Sequence, residues 1–287
     1  MSAAKTIFSV IVPACARPDQ LAECLARLKP GAQTYPADNY EVIVTDDSPD
    51  NSVRNLVKNN FPWAHWTAGP RRGPASNRNH GAAEARGEWL AFTDDDCLPE
   101  PGWLNAFAGA INNSDALEGR TYADRPRRSL AERAPLNSHG GYWWSCNFAV
   151  HVDLFRRLAG FDEGFPYAAM EDVDFAYRMR AANARQKFVP AAGVCHPWRD
   201  VGGFGSMWRV EQRSLASLRY YLQLHPQARA EHTPWIYLRY NARQLLRETL
   251  PNLWHCRGRG AGAALAWHLH TLFKAAVIGK FSSRKTK

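Results

Sequence analysis

No stretch of the sequence approaches the ~18 uninterrupted apolar residues of a membrane-spanning helix, so a soluble or peripheral protein is expected. The six cysteines, Cys15, Cys24, Cys97, Cys146, Cys195 and Cys256, include no CxxC pair. That spacing argues against a zinc site or a disulfide framework and fits a reducing cytoplasm. There is no internal repeat and no low-complexity tract, which excludes solenoid, fibrous and disordered classes. Acids are scarce in one region only: residues 203–287 hold 3 against 14 Lys and Arg, a net of +11, whereas residues 1–202 hold 24 acids against 22 bases. An anionic partner would meet this basic tail.

What is present is a 287-residue chain with 45% hydrophobic residues, enough to bury a substantial core. Its start, "MSAAKTIFSVIVPACA", superficially imitates a signal peptide. The apolar run is short, rich in β-branched residues and closed by Pro13, so it is expected to be a first core strand. Apolar strands are expected at 7–12, 40–45, 63–67 and 88–93, separated by helical patterns at 18–28, 52–59 and 75–85. Buried strands alternating with helices imply a mostly parallel α/β sheet. Further on, strands are expected at 116–122, 142–150 and near 187–198, and a helix at 170–182. From residue 204 the pattern is wholly helical, with apolar stripes such as Leu265, Leu269, Leu272 and Phe273. The expected domains are 1–202, which carries the sheet, and 203–287, a basic helical C-terminal region.

In open parallel sheets ligands bind beyond the carboxyl ends of the strands. The segments that follow the strands are "PACARPD", "DDSPDNS" and "DDDCLPEPGWL". Asp94, Asp95 and Asp96 repel one another unless a cation compensates them, and acidic oxygen ligands select hard ions such as magnesium or manganese. The alternative is a solvated acidic turn. Glu171 and Asp172, on the first turn of the 170–182 helix, either complement the helix dipole or supply a general base.

The segments "FSVIVPACARPDQLAECLARL", "EVIVTDDSPDNS", "GPASNRNHGAAEARGEWLAFTDDDCLPEPGWL", "GFDEGFPYAAMEDVDFAYRMRAA" and "HPW" resemble, in order and spacing, the family-2 inverting glycosyltransferases of the GT-A fold. The resemblance spans roughly residues 7–198. It implies a GT-A (Rossmann-like), mostly parallel sheet flanked by helices, here with a helical C-terminal extension. It also implies metal-dependent transfer, with inversion, from a nucleoside-diphosphate sugar to an acceptor hydroxyl. Asp172 matches the catalytic base, with Glu171 beside it near the acceptor. Asp94 and Asp96 match the Asp-x-Asp element that meets the donor and a Mn2+ or Mg2+ ion, and Asp95, between them, is also expected to bind the donor. His196 matches a metal ligand of some relatives. Pro13, Ala14, Arg17, Asp47 and Arg78 match donor-binding positions, and Asn147 matches a polar position near the donor sugar. Ala14 and Ala16 leave the base pocket open among uridine, thymidine and guanosine diphosphates, with a UDP-sugar the first expectation. "ANARQK" replaces the usual glycine turn.

Trp143 and Trp144 are expected near the acceptor, one of them turned into the core. The loop 123–141, with Arg125, Arg127 and Arg128, either closes over the diphosphate or is merely solvated. Arg239, Arg243 and Arg247, together with Trp235, Trp254, Trp267 and the terminal "KFSSRKTK", suit an anionic membrane surface carrying a lipid-linked or surface-glycan acceptor. A solvated helical face or a subunit contact is the alternative. The expected location is cytoplasmic, peripheral on the inner face of the membrane. Nucleic acid is not an expected partner, because the acidic rim would repel it. A sugar-nucleotide nucleotidyltransferase would need a Gly-rich basic loop where "VPACARPD" stands.

Overall fold

The computed structural model describes residues 7–283, with side chains through residue 279. The first half alternates strand and helix: β1 (Phe8–Ala14), α1 (Pro18–Leu28), β2 (Tyr40–Asp46), α2 (Ser52–Asn60), β3 (His65–Ala68), α3 (Pro74–Glu84), β4 (Trp89–Phe92), β5 (Leu98–Pro99), α4 (Trp103–Ala108) and β6 (Ala116–Tyr122). There follow β7 (Glu132–Arg133), β8 (Phe148–His151), α5 (Val152–Arg157), α6 (Glu171–Ala181), β9 (Gln186–Cys195) and β10 (Arg199–Asp200). The remainder is helical: α7 (Phe204–Leu224), α8 (Pro234–Gln244), a π turn (Leu245–Thr249), α9 (Leu250–His255) and α10 (Ala261–Ser283).

Eight strands form one sheet in the order β3-β2-β1-β4-β8-β6-β9-β5. The block β3-β2-β1-β4 is parallel, and β8 enters antiparallel between β4 and β6. Alternation along β1 divides the core. Val10 and Val12 pack with Leu21 and Leu25 of α1 on one face, whereas Ile11 joins Ile43, Phe92 and Phe175 on the other. This double burial explains why β1, β2 and β4 read as continuous apolar runs.

By internal contacts the chain divides into two compact units. The first runs through Asp124 and includes 135–164 and 171–197; the second comprises 125–134, 165–170 and the chain from Trp198 onward. The second thus draws in two short earlier segments. β7 pairs with β10, and Phe165 packs its ring against Tyr220 of α7 at 5.0 Å. Within this unit the small face of α10, Ala263 and Ala266, packs with Met207, while Leu265, Leu269, Leu272 and Phe273 are 41–54% exposed. Small side chains permit close helix approach, so the apolar stripe faces outward instead of into the core.

Two sequence expectations changed. The strand expected at 142–150 is reduced to β8, because Glu118 of β6 claims the backbone before it. Its buried carboxylate accepts from the N–H groups of Gly141, Tyr142 and Trp143 at 2.6, 2.8 and 2.6 Å. Trp143 consequently sits at φ 56°. In "ANARQK" the left-handed position usually given to glycine is taken by Asn183, at φ 53°, one of the few side chains that tolerate it.

Candidate active site

The carboxyl ends of β1, β2 and β4 bring Arg17, Asp47 and Asp94–Asp96 to one rim of the first unit. The platform beneath is aromatic. Phe92, the last residue of β4, packs on Phe148, Phe155 and Phe161 at centroid separations of 5.1, 5.5 and 5.4 Å, and Phe161 meets Phe175 of α6 at 5.1 Å. Edge-to-face and tilted ring contacts of this kind are stiff, so the end of β4 and the first turn of α6 are held to one framework.

Asp95 is fully buried. Arg17 clamps it through Nη2 and through Nε at 3.1 Å, and the same guanidinium reaches Asp96 Oδ2 at 3.1 Å. Burial pushes the Asp95 carboxyl up to about 6, against the pull of Arg17. Ala16, at φ 52°, turns the chain so that Arg17 folds back over the carboxylates. Asp95 is therefore held by Arg17, whose side chain remains 37% exposed at the rim.

Asp96 and His196 meet on the other side. His196 Nδ1 lies 2.9 Å from the Pro197 carbonyl, which only accepts, so Nδ1 carries a proton and Nε2 is the nitrogen that faces Asp96 Oδ1, at 3.7 Å. That separation is too long for a hydrogen bond. It suits two ligands of one ion, which at about 2.1 Å each lie no more than about 4.2 Å apart. An imidazole oriented by a backbone carbonyl is a common arrangement for a metal ligand. Cys97 Sγ lies in the same cluster, but burial pushes its thiol well up and a neutral thiol is a poor ligand for a hard ion. Asp96 and His196 thus fit a Mn2+ or Mg2+ ion, while Asp94 groups instead with Cys97 and Cys146.

Asp94 is turned toward Arg78 of α3. The Arg78 side chain, 5% exposed, bonds Asp94 Oδ1 at 2.7 Å and Glu171 Oε1 at 3.3 Å. It is a tie between the β4 rim and α6, not an open donor contact as its sequence position suggested. Glu171 is likewise buried, which pushes its carboxyl up. Asp172, next to it, stays partly exposed. Its Oδ1 accepts from the Val173 N–H at 2.8 Å and its Oδ2 from the Ser145 N–H at 3.4 Å. Burial first and the Glu171 charge second push the Asp172 carboxyl up to about 7. A carboxylate near neutrality is matched to proton transfer at ordinary pH.

Other expected contacts are placed differently. Pro13 and Ala14 are interior residues of β1, and the Ala14 carbonyl accepts from the Asp47 N–H at 2.9 Å; the first exposed positions are Cys15 and Ala16. Asp47 stands at the rim, with Oδ1 accepting from the Arg71 N–H at 2.8 Å. A methyl group on Gly69 would collide with it and with Asn77, so glycine is required there. Trp143 is only 5% exposed and packs in the core against Phe148, which removes it from an acceptor cleft; Trp144 is partly exposed and stacks on Tyr142 at 5.4 Å. Arg125 and Arg127 are engaged inside the second unit, by the Glu132 carboxylate and by the carbonyls of Ser129, Leu130 and Glu132.

Asn147 is buried and fully occupied. It accepts from Trp103 Nε1 at 2.8 Å and donates to the carbonyls of Arg120 and Ala192 at 2.8 and 3.0 Å, leaving nothing for a donor sugar. Asn147→Ala should destabilise the fold by about 3 kcal/mol in chemical denaturation, because it strands buried partners. Nucleotide affinity of the folded fraction should be unchanged; lost affinity at unchanged stability would return Asn147 to the donor site. Glu118 and the Ser145 N–H were missed from sequence. The only local signal was an acid directly after the apolar Ala116 and Leu117 of β6.

A family model described as Glycosyl transferase family 2 matches residues 9–165. The chain is 27% identical over 217 residues to glycosyltransferase AglE of Haloferax volcanii, covering 70% of each chain. It is 32% identical over 181 residues to a pre-mycofactocin glycosyltransferase of Mycobacterium tuberculosis, covering 55% of this chain but only 37% of that protein's length. Among solved structures, mannosyltransferase PcManGT from Pyrobaculum calidifontis, in complex with GDP-Man and Mn2+, superposes with a TM-score of 0.60 at 23% identity, covering 96% of this chain and 87% of that one. Residues 1–349 of S. aureus TarS with UDP-GlcNAc give a TM-score of 0.57 at 17% identity, covering 97% and 92%. The model match covers more than half of the chain and the sheet shares its fold with these GT-A proteins, so the chain belongs to glycosyl transferase family 2.

Proposed function

We propose that the protein is a metal-dependent inverting glycosyltransferase. It moves a sugar from a nucleoside-diphosphate donor, a UDP-sugar first and a dTDP- or GDP-sugar as the alternative, to a hydroxyl of a surface-polysaccharide or lipid-linked glycan. The observation that carries the reading is Asp172: a carboxyl pushed up to about 7, partly open, on a helix tied through Arg78 to the acidic rim. The solved relatives in complex with GDP-Man and Mn2+, and with UDP-GlcNAc, support the donor class.

In this reading ionised Asp172 takes the proton of the acceptor hydroxyl as its oxygen attacks the anomeric carbon, through a transition state with oxocarbenium character. The Val173 and Ser145 N–H groups hold both carboxylate oxygens and aim them. A single base opposite the leaving group gives inversion. Asp96 and His196 would hold Mn2+ or Mg2+, whose Lewis acidity would support the departing diphosphate.

Thermal shift with UDP, dTDP and GDP, each with Mn2+, Mg2+ or EDTA, tests the donor and metal together. One diphosphate should raise the melting temperature only when metal is present; a ligand at 100 times its Kd stabilises by about 2.7 kcal/mol. His196→Ala should remove most of the metal-dependent part. No shift with any combination, together with no hydrolysis of any sugar nucleotide, would overturn the reading.

A further inference from the structure

We infer that the α8–π–α9 segment of the second unit is a docking surface for an anionic lipid bilayer. The row Arg239, Arg243 and Arg247 is exposed, and among the described residues no carboxylate forms an ion pair with any of the three. Like charges four residues apart weaken an isolated helix, so the row is relieved only by external negative charge. From residue 232 to the end of the chain there is a single acid, Glu248.

Large apolar side chains stand beside the guanidinium groups. Trp235, Leu246 and Trp254 are 65%, 65% and 90% exposed. In an α-helix every fourth residue drifts about 40° around the axis. The π turn over Leu245–Thr249 winds more slowly and offsets that drift, so Arg247 and Trp254 return toward the arc of Trp235 and Arg239. Arg239, Tyr240, Arg243, Leu246 and Arg247 together line an open hollow of about 450 Å³.

This mixture selects the partner. Nucleic-acid phosphates would satisfy the arginines but leave Trp254 and Leu246 in water. A second copy meeting this face about a twofold axis would oppose arginine to arginine. A bilayer interface accepts both, with indoles and leucines at the acyl boundary and guanidinium groups snorkelling to lipid phosphates. No helix among the described residues is long and apolar enough to cross a membrane, so the segment would lie in the interface plane. Trp267 is not part of this surface: it is half-buried against Tyr240 at 5.8 Å. The terminal "KFSSRKTK" lies outside the described side chains.

The test is co-sedimentation of the full chain with vesicles of phosphatidylcholine, alone or mixed with phosphatidylglycerol. Binding should require phosphatidylglycerol and fall as salt shortens the screening length from about 10 Å at 0.1 M to about 3 Å at 1 M. Each basic residue at such a surface contributes roughly a fivefold factor. Arg239→Glu/Arg243→Glu/Arg247→Glu should therefore weaken binding at least about a hundredfold. Trp254→Ala/Leu246→Ser should weaken it while leaving the salt dependence. Melting temperature and sugar-nucleotide hydrolysis report that the variants remain folded, since this surface and the carboxylate site share no residue. Equal binding to pure phosphatidylcholine, no binding by the folded protein, self-association abolished by the triple charge reversal, or a preference for duplex RNA over vesicles would each overturn the inference.

Discussion

Asp172→Asn should lower sugar transfer by about 10²–10⁴-fold while leaving donor binding nearly intact, and should make the protein more stable at pH 8. Both effects have one origin. Burial and the neighbouring Glu171 charge disfavour the ionised carboxylate, so its folded pKa rises to about 7. A carboxyl raised in this direction contributes stability that is complete below about pH 4 and is lost as pH climbs to about 7. Above that, ionised Asp172 costs on the order of 2 kcal/mol after allowance for its partial exposure. Asparagine removes the cost along with the base. Urea midpoints of the two proteins should coincide near pH 4 and separate by pH 8, with the variant higher. Transfer by the wild type should rise with pH on a limb centred near 7 that the variant lacks. If the variant loses donor binding instead, Asp172 belongs to the donor site; if it retains transfer, Asp172 is not the base.

Arg78→Ala should cost about 3–5 kcal/mol, because it leaves Asp94 and Glu171 as carboxylates at a buried site without their shared cation. Arg78→Lys should recover little of this, since one ammonium cannot reproduce a planar fork that reaches two acids at once. Adding Glu171→Gln to Arg78→Ala should restore part of the loss, and the coupling in that double-mutant cycle measures the tie between α3 and α6. The penalty should shrink on acidification as the stranded carboxylates protonate. A neutral Arg78→Ala variant with selectively weakened nucleotide binding would show instead that Arg78 serves the donor.

Much of the fold was legible because its signals are local. β6 and α1 occupy 116–122 and 18–28, the spans expected from the spacing of apolar residues, and β2 exceeds its expectation by one residue. The acidic triplet follows the end of β4 because an apolar run that stops at Phe92 marks a strand end. The shortening of β8 was not legible, because the competitor for its backbone is Glu118, a side chain some 25 residues away. The use of Asn147 was hidden for the same reason, its partner Trp103 lying 44 residues away, and the spacing alone left open which of Trp143 and Trp144 turns inward. A polar or aromatic residue near a rim looks available until its partners, Trp103 for the first and Phe148 for the second, are known.

By itself the sequence determined the strand–helix alternation, the delivery of carboxylates to one rim and the concentration of positive charge beyond residue 203, since each is carried by spacing within a few residues. Only the tertiary structure decided which charges are spent and which remain available. Arg17 is committed to Asp95 and Asp96 across 78 and 79 residues, and Arg78 to Glu171 across 93. Asp172 and His196 Nε2 stay available because packing gives the first only the Val173 and Ser145 N–H groups, with no side-chain ion pair among the described residues, and sets a backbone carbonyl on the far side of the second. Those choices follow from how the sheet and helices close on one another, which no local pattern encodes.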